Sequence, residues 1–509
     1  MEILQNLFMG FETILSPIYL IYTLLGVILG AIIGALPGLG ASAGIAILLP
    51  ITYGMNPIAG IVMLCGIYYG GMYGGSITAI TINTPGDSAA VMTAIDGYPL
   101  AKKGQAGKAL GMAAFASIIG GSISVIIYTF FAPLLAKFAI TFGPPEYFAL
   151  MALGLTSIGG MTGDFPIKGY ISAFLGLFLA TIGLDSVIGL ERFTFGILEL
   201  YEGIDFIPAA MGLFGIAEIM ILSDNDQSII IDKKELSFRK QFPTKEDIKI
   251  SMSHILRSTG LGFLIGVLPG AGATIGSFLG YSTAKKLSKR GEKFGTGVIE
   301  GVAAPESANN AASIGAMVPL ITLGVPGSGA TAMMLGALMM FGLRPGPQIF
   351  ETNPDFVWGL VASMYIGNIF LFLIAILALP AIVKILAVKK PILNAVVLAF
   401  ILIGAYCLRN SMFHVGLTVA FGILGYFLKK FKFPLTPIVL ALVLGNLLER
   451  SFRQSIILFK GDLLMFFSRP ISGVLLGITI IMVLLPLIIK LFNKIKRKDY
   501  KNKSIKENF

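Results

Sequence analysis

"GALPGLGASAG" (Gly34–Gly44) breaks an apolar run with proline, glycines and a serine where a buried helix should continue. Nearly the same string returns downstream as "GVLPGAGATIG" (Gly266–Gly276). Proline removes an amide from the helix ladder. Glycine permits unusual dihedrals and close backbone approach. The reading of the fold turns on why a hydrophobic chain interrupts itself twice in the same way.

The surroundings answer first. The chain has 509 residues, of which 55% are hydrophobic and only 13% charged. A soluble domain carries roughly 25% charged residues, so the polar surface is too small for a water-soluble body. Runs such as "YLIYTLLGVILGAIIGAL" (Tyr19–Leu36), "IFLFLIAILALPAIV" (Ile369–Val383) and "GVLLGITIIMVLLPLIIKLF" (Gly473–Phe492) approach or reach the ~20 residues that cross a bilayer. The pattern predicts an all-α integral membrane protein of about ten to twelve transmembrane helices. The start, "MEILQNLFMGFETILSP" (Met1–Pro17), carries an acid where a secretory leader would be basic. It reads as an interfacial helix.

The formal charge of +11 does not indicate nucleic acid. Basic residues gather in short loops, at Ala101–Lys108, Lys285–Lys293 and Leu428–Lys432, and in the tail at Asn493–Lys506. Such loops mark the cytoplasmic side, and the tail could touch anionic membrane lipid. Cys65 and Cys407 lie in apolar runs without ligand spacing, and His254 and His414 have no zinc signature. No metal or other cofactor is expected, and no catalytic residue.

The organisation is that of two halves. Residues 1–17 are the N-terminal segment, 18–222 a first transmembrane repeat and 223–250 a charged cytoplasmic linker. Residues 251–470 hold a second repeat with the helices after it, 471–492 a last span and 493–509 the basic tail. Each repeat has its Leu-Pro-Gly break, then a Pro-Gly segment: "NTPGDSAAVMTA" (Asn83–Ala94) and "GVPGSGATAMMLGAL" (Gly324–Leu338). Each then reaches a further turn, at "DGYPLAKKG" (Asp96–Gly104) and "FGLRPGP" (Phe341–Pro347). The connection between the two motifs is uncharged in the first half (Thr52–Pro57) and strongly basic in the second, and the loop after Pro-Gly shows the reverse. Equivalent loops therefore lie on opposite faces, which is an inverted-topology repeat of the kind found in secondary transporters.

Irregular backbone survives at membrane depth only inside protein or along a polar cavity. A helix that begins there offers unpaired amides and a partial positive charge to an anion. Gly38, Gly40 and Ser42, with Gly270, Gly272 and Thr274, are thus candidate anion-binding positions in the two breaks. Asn83, Thr84, Pro85, Gly86 and Ser88, with Pro326, Gly327, Ser328 and Thr331, repeat the design. The four-residue spacing of Gly26, Gly30 and Gly34, and of Gly66, Gly70 and Gly74, indicates helix packing instead. "APESANNAAS" (Ala304–Ser313) sets an acid, amides and hydroxyls between apolar runs. Glu306, Ser307, Asn309 and Asn310 could bind Na⁺, or Glu306 could relay a proton; a loop or helix cap is the plainer alternative. Asp87 is the second intramembrane acid, and it could equally be an N-cap.

These stretches, with "GIYYGGMYGGSITAITINTPGD" (Gly66–Asp87) and "LLERSFRQSIILFKGDLLMFFSRPIS" (Leu447–Ser472), resemble the large membrane subunit (TctA) of tripartite tricarboxylate transporters. The resemblance runs from about Leu20 to Ile471. It implies a permease of a bacterial or archaeal inner membrane that imports di- or tricarboxylates such as citrate on a proton or sodium gradient. It also implies a small TctB-like membrane subunit and an extracytoplasmic TctC-like solute-binding protein as partners. The small subunit is not expected within this chain, because one span and the tail follow Ile471. Asp87 stands where the family more often has Glu. An anion channel with the same broken helices is the competing reading. A membrane-embedded enzyme lacks a triad, a His pair or metal-ligand spacing.

Overall fold

The structure, a computed structural model, describes residues 2–36, 38–160, 166–185, 188–223, 242–268, 272–386 and 390–484. Within these residues the chain is almost entirely helical. The first half runs through α1 (Glu2–Ile14), α2 (Pro17–Gly34), α3 (Gly40–Leu48), α4 (Pro57–Ile82), α5 (Val91–Lys102), α6 (Ala106–Ala139), α7 (Pro144–Gly160) and α8 (Pro166–Ala180). A two-residue hairpin, β1 (Gly183–Leu184) with β2 (Glu191–Arg192), follows. Next come α9 (Phe206–Ala210) and α10 (Ala217–Ser223), joined through a π-helical stretch at Met211–Ile216. The second half holds α11 (Lys245–Val267), α12 (Gly272–Leu287), α13 (Glu300–Gly315), α14 (Met317–Leu323), α15 (Gly329–Met340), α16 (Ile349–Thr352) and α17 (Pro354–Leu377). Last are α18 (Leu379–Leu386), α19 (Lys390–Arg409), α20 (Met412–Lys430), α21 (Thr436–Leu458) and α22 (Met465–Ser468), followed by a helix over Pro470–Leu484.

Six of these helices, α2, α4, α6, α11, α17 and α20, are long and apolar enough to cross a membrane. Six shorter apolar segments accompany them among the described residues, α3 and α15 included. The shortness of α3 follows from the Leu-Pro-Gly break. Helix α2 stops at Gly34, Gly38 and Gly40 take positive φ (86° and 61°), and α3 starts at Gly40. The second break repeats this: α11 stops at Val267 and α12 starts at Gly272 with φ 59°. Pro37, Pro269 and Gly270 lie outside the described residues, as do most of the linker and the basic tail.

Helices α2 and α4 touch backbone to backbone. A Cβ on Gly26, Gly30 or Gly34 would run into the carbonyl oxygens of Met63, Ile67 and Gly71. In return, one on Gly66, Gly70 or Gly74 would meet those of Thr23, Val27 and Ala31. This is the packing face that the four-residue spacing predicts. The second half builds the same pair from α11 and α13, with Gly262 and Gly266 against the carbonyls of Ala308 and Ala312. Gly70→Val is therefore expected to push α2 from α4. Overpacking costs about 1–3 kcal/mol even where neighbours relax, and here the neighbour is backbone. Gly416→Val is the control, since nothing lies within 4 Å of a Cβ there. Size-exclusion profiles at matched expression should show loss of the monodisperse species for the first variant only.

One expectation needs correction. The turn read at Asp96–Gly104 is helix as far as Lys102, and the chain turns at Gly104 (φ 72°). Asp-Gly-x-Pro favours turns locally, but burial of the Asp96 carboxylate against the second half overrides it. Thr244 and Asp247 form a capping box that starts α11 at Lys245, within the stretch read as linker.

The charged loops meet across the halves. Lys103 Nζ donates to the Thr296 carbonyl at 2.7 Å, and Lys108 pairs with Asp247 at 2.9 Å. The loop after the first Pro-Gly segment and the connection before α13 thus share one face. Cys65 is buried in α4, while Cys407 on α19 is exposed.

Candidate functional site

The two Pro-Gly segments are built alike. Asn83 (φ 56°) and Gly324 (φ 69°) end α4 and α14 in the left-handed conformation that closes a helix. Three residues on, glycine is required in both. A Cβ on Gly86 would strike the Gly34 carbonyl oxygen, and one on Gly327 would lie 3.1 Å from the Gly266 carbonyl oxygen. Gly34 and Gly266 open the two Leu-Pro-Gly motifs. Each Pro-Gly turn therefore lies against the helix end that precedes its own break.

The next residue caps the following helix, and here the halves differ. Asp87 accepts from the Ala89 amide through Oδ1 (3.0 Å) and, across the break, from the Ala41 amide through Oδ2 (3.1 Å). The N-cap role was the alternative reading of Asp87, and the carboxylate also covers the first turn of α3. At the matching place Ser328 accepts from the Thr331 amide (3.2 Å), while Thr331 Oγ1 accepts from the Ser328 amide (2.8 Å). Ser328 Oγ also shares a hydrogen bond with Tyr68 Oη at 3.2 Å. The capping box uses both hydroxyl oxygens as acceptors, and the Thr331 hydroxyl donates to the Ser328 carbonyl at 3.0 Å, so of the two it is the Ser328 hydroxyl whose proton can turn to a ligand.

The four segments converge crosswise. Ser88 Oγ and Thr274 Oγ1 share a hydrogen bond of 2.8 Å, and Ser42 Oγ would be 2.9 Å from a Cβ on Gly329. Gly272, at the start of α12, faces Ser328 and the Gly327 carbonyl, whereas Gly40 faces the Asp87 carboxylate. Among the described residues no acid bonds the first turn of α12. Gly38, Asn83, Ser88 and Thr274 are exposed; Ser42, Thr84, Pro85, Asp87 and Ser328 are half-buried; Gly86, Pro326, Gly327 and Thr331 are buried.

Glu306 is neither loop nor cap: it sits mid-way along α13, fully buried. Its Oε1 accepts from Ser76 on α4 and Thr93 on α5, both at 2.5 Å, and Oε2 from Ser117 on α6 at 3.5 Å. No ion pair reaches it among the described residues. Asn310 joins the group by donating to Ser117 Oγ (2.8 Å). Ser307 does not, since its hydroxyl donates to its own helix at Ala304. Asn309 points to the Met72 carbonyl (3.5 Å), and its Oδ1 has no partner among the described residues. The two acids are linked through α4: Gly75 packs on Asp87 and Ser76 bonds Glu306.

Sequence reasoning missed Tyr68, Ser76, Thr93 and Ser117. The aromatic residues in "GIYYGGMYGG" were the available signal for the first, because packing of small residues does not call for buried hydroxyls. It also missed Asp96. That carboxylate is buried, and its Oδ1 accepts from the amides of Gly295, Gly297 and Val298 at 2.8–2.9 Å. Its Oδ2 accepts from Tyr281 Oη at 2.9 Å.

The arrangement can hold an anion at helix ends lined with hydroxyls, beside a buried carboxyl able to take a cation. The model of the Tripartite tricarboxylate transporter TctA family matches residues 20–440. The uncharacterized 52.8 kDa protein in the TAR-I ttuC′ 3′ region of Agrobacterium vitis is 41% identical over 493 residues, which cover 96% of this chain and 97% of that protein. The uncharacterized protein in the TAR-II ttuC′ 3′ region of the same organism is 43% identical over 230 residues, 45% of this chain and 94% of that one. No solved structure matches the chain significantly.

Proposed function

The chain belongs to the Tripartite tricarboxylate transporter TctA family, and from that premise we propose that it is the permease of a secondary importer of di- and tricarboxylates such as citrate. Membership makes it a multi-pass membrane component of a transporter. The reading of its chemistry rests on one observation: of the two matching helix starts, α3 has the Asp87 carboxylate against it, whereas among the described residues α12 has Ser328, Ser88 and Thr274 and no acid. A substrate carboxylate binds at the uncompensated end, where amides and hydroxyls donate to it.

Glu306 supplies the coupling. A buried carboxylate with no basic partner calls for a cation, and a proton or Na⁺ fills that role, with Asn309 and Asn310 as neutral neighbours. Asp87, the other acid singled out for coupling, is committed to two backbone amides. The halves work as inverted repeats. The contact of Lys103 with Thr296 supports this, because the two loops hold non-equivalent places in their repeats. A TctB-like subunit and a TctC-like binding protein complete the system in the cell membrane.

Uptake by cells carrying the complete system, over a carboxylate panel with and without Na⁺, tests the reading. Uptake of no carboxylate would overturn it, and counterflow in proteoliposomes separates a carrier from a channel. Ser328→Ala is expected to raise KM about tenfold, the loss of one hydrogen bond to a charged group. Gly327→Val should do worse, because its side chain would press on the Gly266 carbonyl. An unchanged KM in both, at matched membrane abundance, would make this turn a packing break only.

A further inference from the structure

We propose that the basic end of α12 is a binding site for the head group of an anionic phospholipid. A cavity of about 910 Å³ opens there, lined by Lys285, Lys286, Lys289 and Lys293 together with Ser282, while the Ser288 hydroxyl in the same wall donates to Glu300. Among the described residues none of the four lysines has an ion pair. Arg290, in the same wall, is committed to Glu300, which it meets with Nε at 2.9 Å and Nη2 at 2.5 Å. Glu292 is the one acid in the lining. The loop's charge follows from the bias of basic residues to one side of the membrane, but that bias does not shape a cavity or leave its cations unpaired.

The rim identifies the ligand. Phe278, which lines the cavity, is 52% exposed, and Leu287, next in sequence to the lining residues Lys286 and Ser288, is 56% exposed. Phe278 and Lys285 stand two turns apart on one helix face, roughly 10 Å along the axis. A phosphate held by the lysines would therefore have its acyl chains against Phe278. A soluble anion would use the polar wall alone. The site is separate from the carboxylate site, because Thr274 lies near the other end of α12.

The test uses the purified full-length protein in nanodiscs of phosphatidylcholine with or without phosphatidylglycerol, read by native mass spectrometry for retained lipid and by thermal unfolding. Wild-type protein is expected to retain phosphatidylglycerol and to unfold at higher temperature with it. Replacing the four lysines by Gln should weaken retention on the order of a hundredfold. Replacing them by Arg should preserve it. If the Gln variant yields no folded protein, Lys285→Gln/Lys289→Gln gives the same readout. Equal retention by the wild-type and Gln proteins overturns the proposal. So does stabilisation by inorganic phosphate equal to that by phosphatidylglycerol, which would assign the cavity to a soluble anion.

Discussion

Glu306→Gln should abolish gradient-driven accumulation of carboxylate while leaving substrate exchange in place. The amide keeps the shape and can still accept from Ser76 and Thr93, so the packing around α13 has little reason to change. What it loses is the negative charge that a buried cation needs. Removing one member of a buried charged pair costs about 3–5 kcal/mol, which corresponds to a loss of roughly a hundredfold or more in cation occupancy. Accumulation should therefore fall to simple equilibration, and counterflow should persist. Full accumulation by the variant would remove Glu306 as the coupling group, and Asp87→Asn would then be the next variant to measure.

Asp96→Ala should cost a large part of the protein's stability. It strips four hydrogen bonds from a buried cluster and leaves three backbone amides and the Tyr281 hydroxyl without an acceptor. Each orphaned buried donor costs about 1–3 kcal/mol, so a loss of about 3–5 kcal/mol is expected after relaxation. Asp96→Asn retains one oxygen acceptor and should fall between. Thermal unfolding in detergent measures both. A midpoint for the alanine variant equal to that of the wild type would mean that this tie between α5 and the start of α13 carries no load.

The breaks and the glycine faces were legible in the sequence because their causes are local. Proline ends a ladder wherever it stands, and glycines four apart line one side of any helix. The surroundings of Glu306 were not legible. Ser76, Thr93 and Ser117 are 230, 213 and 189 residues away in sequence, and nothing in their own stretches announces a carboxyl. Nearness along the chain misled in the same place, since neighbours at i+1 and i+3 on a helix need not face one partner. Ser307 accordingly turns to its own backbone. Asp96 shows the converse, a segment whose local turn chemistry is overruled by distant amides.

The carboxylate of Asp87 at the Ala41 amide has a consequence for competition. It does there what a dissolved carboxylate would do, but it is covalently attached. A tethered group of this kind acts at an effective concentration on the order of millimolar. A free acid more dilute than that loses the first turn of α3 to the protein's own side chain. On the function proposed above, the first half carries a resident competitor for its own helix end, and selectivity among carboxylates is expected to be set at the start of α12.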